Sequence, residues 1–146
     1  MFPVKVEAYP QTKLAGISVR TDMQKASADC MALWQKFMPM LKEMPKVSYG
    51  ISVAVAPDKG IFDYWAAAPG VAQNGMREIT IAPSTYAKCT VPALKDLQAA
   101  YKYMYTEWPQ TVKEWQLDYS VPCFEFYDER FGKTGEFDLY IPVKAK

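Results

Sequence analysis

The chain of 146 residues contains no histidine. That absence removes Ser-His and Cys-His catalytic pairs, histidine metal sites and imidazole pH switches. Cysteine is scarce: Cys30, Cys89 and Cys123 are odd in number and far apart. They cannot form a disulfide framework, they argue against a closed zinc site, and they fit reduced thiols in the cytoplasm. No charge dominates, with 17 basic against 16 acidic residues and a formal net of +1. Without a basic arm or block, little would neutralise a phosphate backbone, so nucleic acid is not an expected direct partner. No apolar run approaches the roughly 20 residues that span a bilayer. The opening Met1-Phe2-Pro3-Val4-Lys5-Val6-Glu7 lacks the basic-then-apolar pattern of a signal peptide. A cytoplasmic protein away from the membrane is expected. Glycine appears in Pro69-Gly70 and Gly132-Lys133-Thr134-Gly135, which match neither a Walker loop nor a dinucleotide fingerprint and read as turns. No cofactor or metal is implied.

What is present in quantity is apolar and aromatic. Half of the chain is hydrophobic, enough for a packed core in a single domain spanning residues 1–146. It holds 10 tyrosines, 7 phenylalanines, 4 tryptophans and 8 methionines. Such side chains are favoured where apolar surface must adapt to different guests, although an aromatic-rich core would account for them equally.

Along the chain, residues 4–9 alternate and 12–20 continue as strand. Thr21 or Asp22 then caps a helix carrying Met23, Ala26, Cys30, Leu33, Trp34, Phe37 and Leu41, and Pro39 should split off its last turn. Strands are expected near 49–56 and 61–67, joined by Pro57-Asp58-Lys59-Gly60. An Ala-, Pro- and Gly-rich loop follows. Strand-like residues 76–90 then lead through Pro92 into a second helix with Leu94, Leu97, Tyr101, Met104, Tyr105 and Trp108 on one stripe. Pro109 should end it, and strands near 120–128 and 136–143 close the chain. Phe62-Asp63-Tyr64 falls on Phe137-Asp138-Leu139 at an offset of 75, and Leu14–Val19 on Tyr86–Val91 near 72. The pattern predicts an α+β fold of two duplicated βαββ units, about 1–70 and 75–146. They would be related by a pseudo-twofold axis, with two main helices on an antiparallel sheet. The groove between the halves is the natural pocket.

The most informative segment is Val121-Pro122-Cys123-Phe124-Glu125-Phe126-Tyr127. In a strand, Phe124 and Phe126 take one face while Cys123, Glu125 and Tyr127 take the other. Spacing alone leaves two positions for Glu125: a solvated face, the usual fate of a strand glutamate, or a pocket lined by aromatics. If inward, an ionised carboxylate loses several kcal/mol of solvation unless partnered. No basic residue lies within two positions on its own strand face. Tyrosine hydroxyls would keep the empty site tolerable, and a cationic guest would supply the missing charge. The Leu97-Tyr101-Met104-Tyr105-Trp108 stripe fits core packing or a cavity wall, with Trp108 at the cavity mouth; Trp34, Phe37 and Met38 read as core.

Taken in order, Leu14–Thr21, Tyr49-Gly50-Ile51-Ser52, Thr85–Pro92, Glu107-Trp108-Pro109, Phe124–Tyr127 and Phe137–Val143 resemble the GyrI-like effector-binding domains. These are the ligand-sensing parts of several multidrug-responsive transcription activators and also occur as stand-alone proteins, the form that this chain resembles. The resemblance covers almost the whole chain. It implies a pocket for diverse lipophilic, often cationic, compounds, with Glu125 as the late-strand glutamate and Trp108 as the flanking aromatic. The expected ligand-binding set is Glu125 with Trp108, Tyr101, Tyr105, Tyr127, Tyr64 and Tyr49, with no residue assigned to catalysis. Regulators of this kind would carry a helix-turn-helix ahead of such a domain; these 146 residues are taken up by the sensor alone, so direct transcriptional control is not expected. Two other functions compete. One is hydrolysis of strained cyclopropane-bearing toxins, with Glu125 as general base and Tyr64 or Tyr127 polarising the leaving oxygen. The other is a gyrase-inhibitor-like module with an exposed apolar patch for a protein partner. An open edge strand would also allow a homodimer.

Overall fold

The computed structural model describes residues 2–73 and 75–146. The strands are β1 (Val4–Tyr9), β2 (Thr12–Asp22), β3 (Ser48–Ala56), β4 (Ile61–Pro69), β5 (Arg77–Ile81), β6 (Ser84–Val91), β7 (Trp115–Leu117), β8 (Cys123–Tyr127) and β9 (Phe137–Ala145). The helices are α1 (Ala26–Phe37), α2 (Leu97–Lys102), α3 (Trp108–Thr111) and α4 (Glu129–Lys133). The fold is α+β, and every strand pairing is antiparallel.

The sheet order is β1-β6-β9-β8-β3-β4-β2-β5, with the short β7 added on β9. That order is symmetric about the β8–β3 seam, so β2-α1-β3-β4 and β6-α2-β8-β9 are equivalent units. The outermost strands are exchanged. β1 precedes β2 in the chain but pairs with β6, and β5 precedes β6 but pairs with β2. The registers repeat faithfully: Tyr9 pairs with Ser84, the first residue of β6, and Ile81 pairs with Thr12, the first of β2. The seam is a ladder centred on Gly50 and Glu125, with Ser48–Tyr127 and Ser52–Cys123 to either side.

The helices lie over one face. Beneath α1, Leu33 and Phe37 pack on Ile17, Tyr64, Ala66 and Ala68. Beneath α2, Ala100 and Met104 pack on Ala87, Cys89, Leu139 and Ile141. The opposite face is an aromatic core of Tyr49, Tyr86, Phe124 and Tyr140 with Leu14, Ile51 and Ile81. Tyr9, from edge strand β1, bonds the hydroxyl of Tyr49 on central β3 at 2.5 Å and packs edge-on against Phe124 and Tyr140. The twisted sheet therefore curls its ends back beneath the seam.

Several elements depart from the expectation. Residues 76–90 are two strands, interrupted at Ala82-Pro83, because proline has no N–H to give to a ladder. Asp22 accepts from the backbone N–H groups of Gln24 and Lys25, capping a turn ahead of α1 rather than the helix itself. Pro39 does detach the last turn, leaving Met38–Met40 as a 3₁₀ turn. Pro109 does not end the second helical segment. It sits in the first turn of α3, behind a π turn at Tyr103–Glu107 that joins α2 to α3. A proline ring clashes with the carbonyl four residues back, and the widened turn relieves that clash. The helix α4 and strand β7 were not anticipated; Asp128 caps α4 by accepting from the N–H of Arg130.

Candidate functional site

Alternation along β8 sends Phe124 into the aromatic core and Glu125 to the helix-covered face, where it is only 4% exposed. Its pairing partner on β3 is Gly50. A Cβ at that glycine would lie 2.1 Å from the Tyr64 hydroxyl and 2.7 Å from Glu125 Oε1. The missing side chain is thus the space in which the carboxylate and its first partner sit.

Three tyrosines from three elements converge on the acid. Tyr64 of β4 and Tyr127 of β8 donate to Oε1 at 2.9 and 2.6 Å, and Tyr101 of α2 donates to Oε2 at 2.8 Å. Trp34 of α1 donates its Nε1–H to the Tyr64 oxygen at 2.9 Å, fixing which way that hydroxyl proton points. Among the described residues no lysine or arginine pairs with Glu125.

The electrostatics follow from this enclosure. Burial raises the pKa of Glu125 above its ordinary value, and the bonds from Tyr127, Tyr101 and Tyr64 pull it only part of the way back. The same burial, with the acid alongside, drives Tyr64, Tyr101 and Tyr127 upward. All three therefore remain donors. Cys30 is pushed up to about 12 by burial, then by Glu125 and Asp29, and Cys123 up to about 11 by burial. Both thiols stay protonated, which makes them poor nucleophiles and poor metal ligands.

Two clefts open along the seam, one on each side of the acid. One, of about 310 Å³, is lined by Met38, Val47, Ser48, Tyr127 and Phe131. The other, of about 300 Å³, is lined by Ser52, Phe62, Tyr105, Tyr119 and Cys123. Neither contains the carboxylate, which the tyrosines cover.

Of the residues expected at the site, Glu125, Tyr64, Tyr101 and Tyr127 come together, and Tyr105 lies beside them against Cys123. Tyr49 does not join them. It occupies the other face of the sheet, because β3 alternates and Gly50 takes the acid's side. Trp108 is buried to 5% in the core with Ala100 and Met104 and lines neither cleft. Trp34, read as core, instead orients the Tyr64 hydroxyl. Gly50 was not singled out, although a glycine inside a strand-forming run is a signal of close approach.

Comparison with known proteins places this geometry. A profile described as the integron-associated effector binding protein Cass2 matches residues 5–143. An integron cassette protein from the mobile metagenome of Vibrio cholerae is 17% identical, with a TM-score of 0.74 over 98% of this chain and 97% of that one. SAV2435, solved bound to tetraphenylphosphonium, is 16% identical with a TM-score of 0.73 over 97% of this chain and 94% of that chain. The C-terminal domain of EcmrR is 12% identical, with a TM-score of 0.65 over 99% of this chain and 98% of that one. A search of curated protein sequences gives no match.

Proposed function

We propose that this chain, which belongs to the Cass2 family of integron-associated effector-binding proteins, holds a lipophilic organic cation against Glu125 at the seam between its two halves. Small-molecule binding is the family's property; the cationic preference is drawn from the site. The observation that carries it is a buried carboxylate partnered by neutral hydroxyls alone. A site of that kind keeps a negative charge without a positive one, at a cost to the folded state, and a guest cation supplies what is missing.

Hydrophobic cations with diffuse charge suit this arrangement. They lose little on leaving water, and their charge interacts with the faces of Trp34, Tyr101 and Tyr127 as well as with the acid. The solved tetraphenylphosphonium complex of the similar SAV2435 points in the same direction.

The test is a titration of tetraphenylphosphonium, followed by tryptophan fluorescence, into the wild type and Glu125→Gln. Loss of a charge-assisted contact worth about 1.5–3 kcal/mol predicts a 10- to 100-fold weaker Kd in the variant. Equal affinities, or no binding to either protein, would remove the charge-pairing reading.

A further inference from the structure

Tyr101, whose hydroxyl reaches Glu125 Oε2, is the inner member of a row of rings that runs out to the surface. Its ring is stacked with that of Tyr105 at 6.4 Å between centroids and 13° between planes, and Tyr105 with that of Tyr119 at 6.3 Å and 22°. The first pair follows from helical spacing, residues four apart lying one above the other on a single stripe. The second joins the helix to the segment between β7 and β8. Exposure rises along the row, from the buried hydroxyl of Tyr101 through Tyr105 at 36% to Tyr119 at 76%.

Tyr105 and Tyr119 form one wall of the 300 Å³ cleft, and Asp118 stands at its rim. Backbone and hydroxyl bonds from Ser120 hold Asp118 in place at 3.0 and 2.5 Å. The same bonds keep that carboxyl below its ordinary value, so it is ionised across the neutral range. Lys144 faces it from β9, but among the described residues no lysine or arginine lines the cleft. The row thus ends in an exposed ring whose face is open to a flat partner.

We infer that this cleft is an outer binding station for planar aromatic cations, which stack on Tyr105 and Tyr119 beside Asp118 and pass inward along the ring row to Glu125. The outer station stands on its own geometry; the inward transfer rests on the function proposed above. Parallel ring faces select shape. A flat ring system continues the stack, whereas a cation with rings in tetrahedral array, or with alkyl arms, cannot lie on it.

The experiment measures proflavine, a flat acridine cation, and tetraphenylphosphonium, whose rings splay, against the wild type, Tyr119→Ala, Tyr119→Phe and Glu125→Gln. The readout is the ratio of the two affinities. Removing an exposed stacking ring lowers affinity for a flat ligand by about tenfold, so the ratio should fall by that factor in Tyr119→Ala and return in Tyr119→Phe. Stopped-flow mixing with proflavine should show a fast phase and a slower one, with only the slower lost in Glu125→Gln. An unchanged ratio in Tyr119→Ala, with tetraphenylphosphonium still dependent on Glu125, overturns the outer station and leaves the inner site standing. Affinity for tetraphenylphosphonium that ignores Glu125, with the ratio still falling in Tyr119→Ala, overturns the inner site and the transfer instead. Failure of both cations to bind the wild type overturns both.

Discussion

Gly50 and Glu125 face each other across the central seam, and the carboxylate of one occupies the room left by the missing side chain of the other. Gly50→Ala is therefore expected to disturb the acid directly. A methyl group placed 2.1 Å from the Tyr64 hydroxyl must displace it, and overpacking of this kind costs about 1–3 kcal/mol. Thermal melts should show a lower Tm, and tetraphenylphosphonium should bind at least tenfold more weakly. A variant with the wild-type Kd would mean that the acid works without its socket.

Glu125→Gln should stabilise the empty protein at neutral pH. Folding raises the acid's pKa, so the charged form is disfavoured in the native state. That penalty is absent below the ordinary value of 4.5 and complete once the pH exceeds the raised one. Glutamine can still accept from Tyr64 and Tyr127. The Tm difference between variant and wild type should thus be positive at pH 8 and shrink toward pH 4, with about 2–4 °C for each kcal/mol in a domain of this size. A variant less stable than the wild type at pH 8 would show that the ionised acid supports the fold.

Binding of tetraphenylphosphonium should weaken as the pH falls from 8 to 4. The ligand has no titrating group, so the profile reports the protein. Because burial raises the pKa of Glu125, the midpoint should lie above 4.5. Saturation curves that overlie one another across this range would place the cation away from the acid.

Tyr101 holds Oε2 from a helix, while Tyr64 and Tyr127 hold Oε1 from the sheet. A guest that reaches the carboxylate meets Tyr101 as its competitor. Tyr101→Phe should leave Oε2 without a donor, lower stability by about 1–3 kcal/mol, and tighten cation binding about five- to tenfold in calorimetric titration. Weaker binding in Tyr101→Phe would recast that hydroxyl as a ligand contact.

How much of this was legible in the sequence depends on the range of the interaction concerned. Alternation along β8 assigned Phe124 and Glu125 to opposite faces correctly, because period two is local, and the repeated order of elements pointed to the duplicated βαββ fold. The exchange of β1 and β5 was hidden, since nothing in either strand says which partner it will meet. Tyr49 was misplaced for a related reason: its face is set by the register of Gly50 against Glu125, a pairing made across 75 residues. Trp108 and Pro109 were read as a helix end, because a π turn leaves no mark in the spacing of apolar residues. The resemblance to GyrI-like domains pointed to Glu125, but neither it nor periodicity identified Gly50 or Trp34, whose roles appear only when the sheet and helices are assembled.

The exchanged edge strands carry a consequence for how the centre could be built at all. Two identical half-length chains, each lending its first strand to the other, would close the same sheet as a homodimer. Their dyad would then pass through the central pair of the seam and set that one residue against its own copy, glutamate against glutamate, and like charges at that distance cannot both ionise. Joining the halves into one polypeptide lets the two sides of the axis diverge. An unequal pair offers one acid with an empty place opposite, and so a single anion to answer a single guest charge.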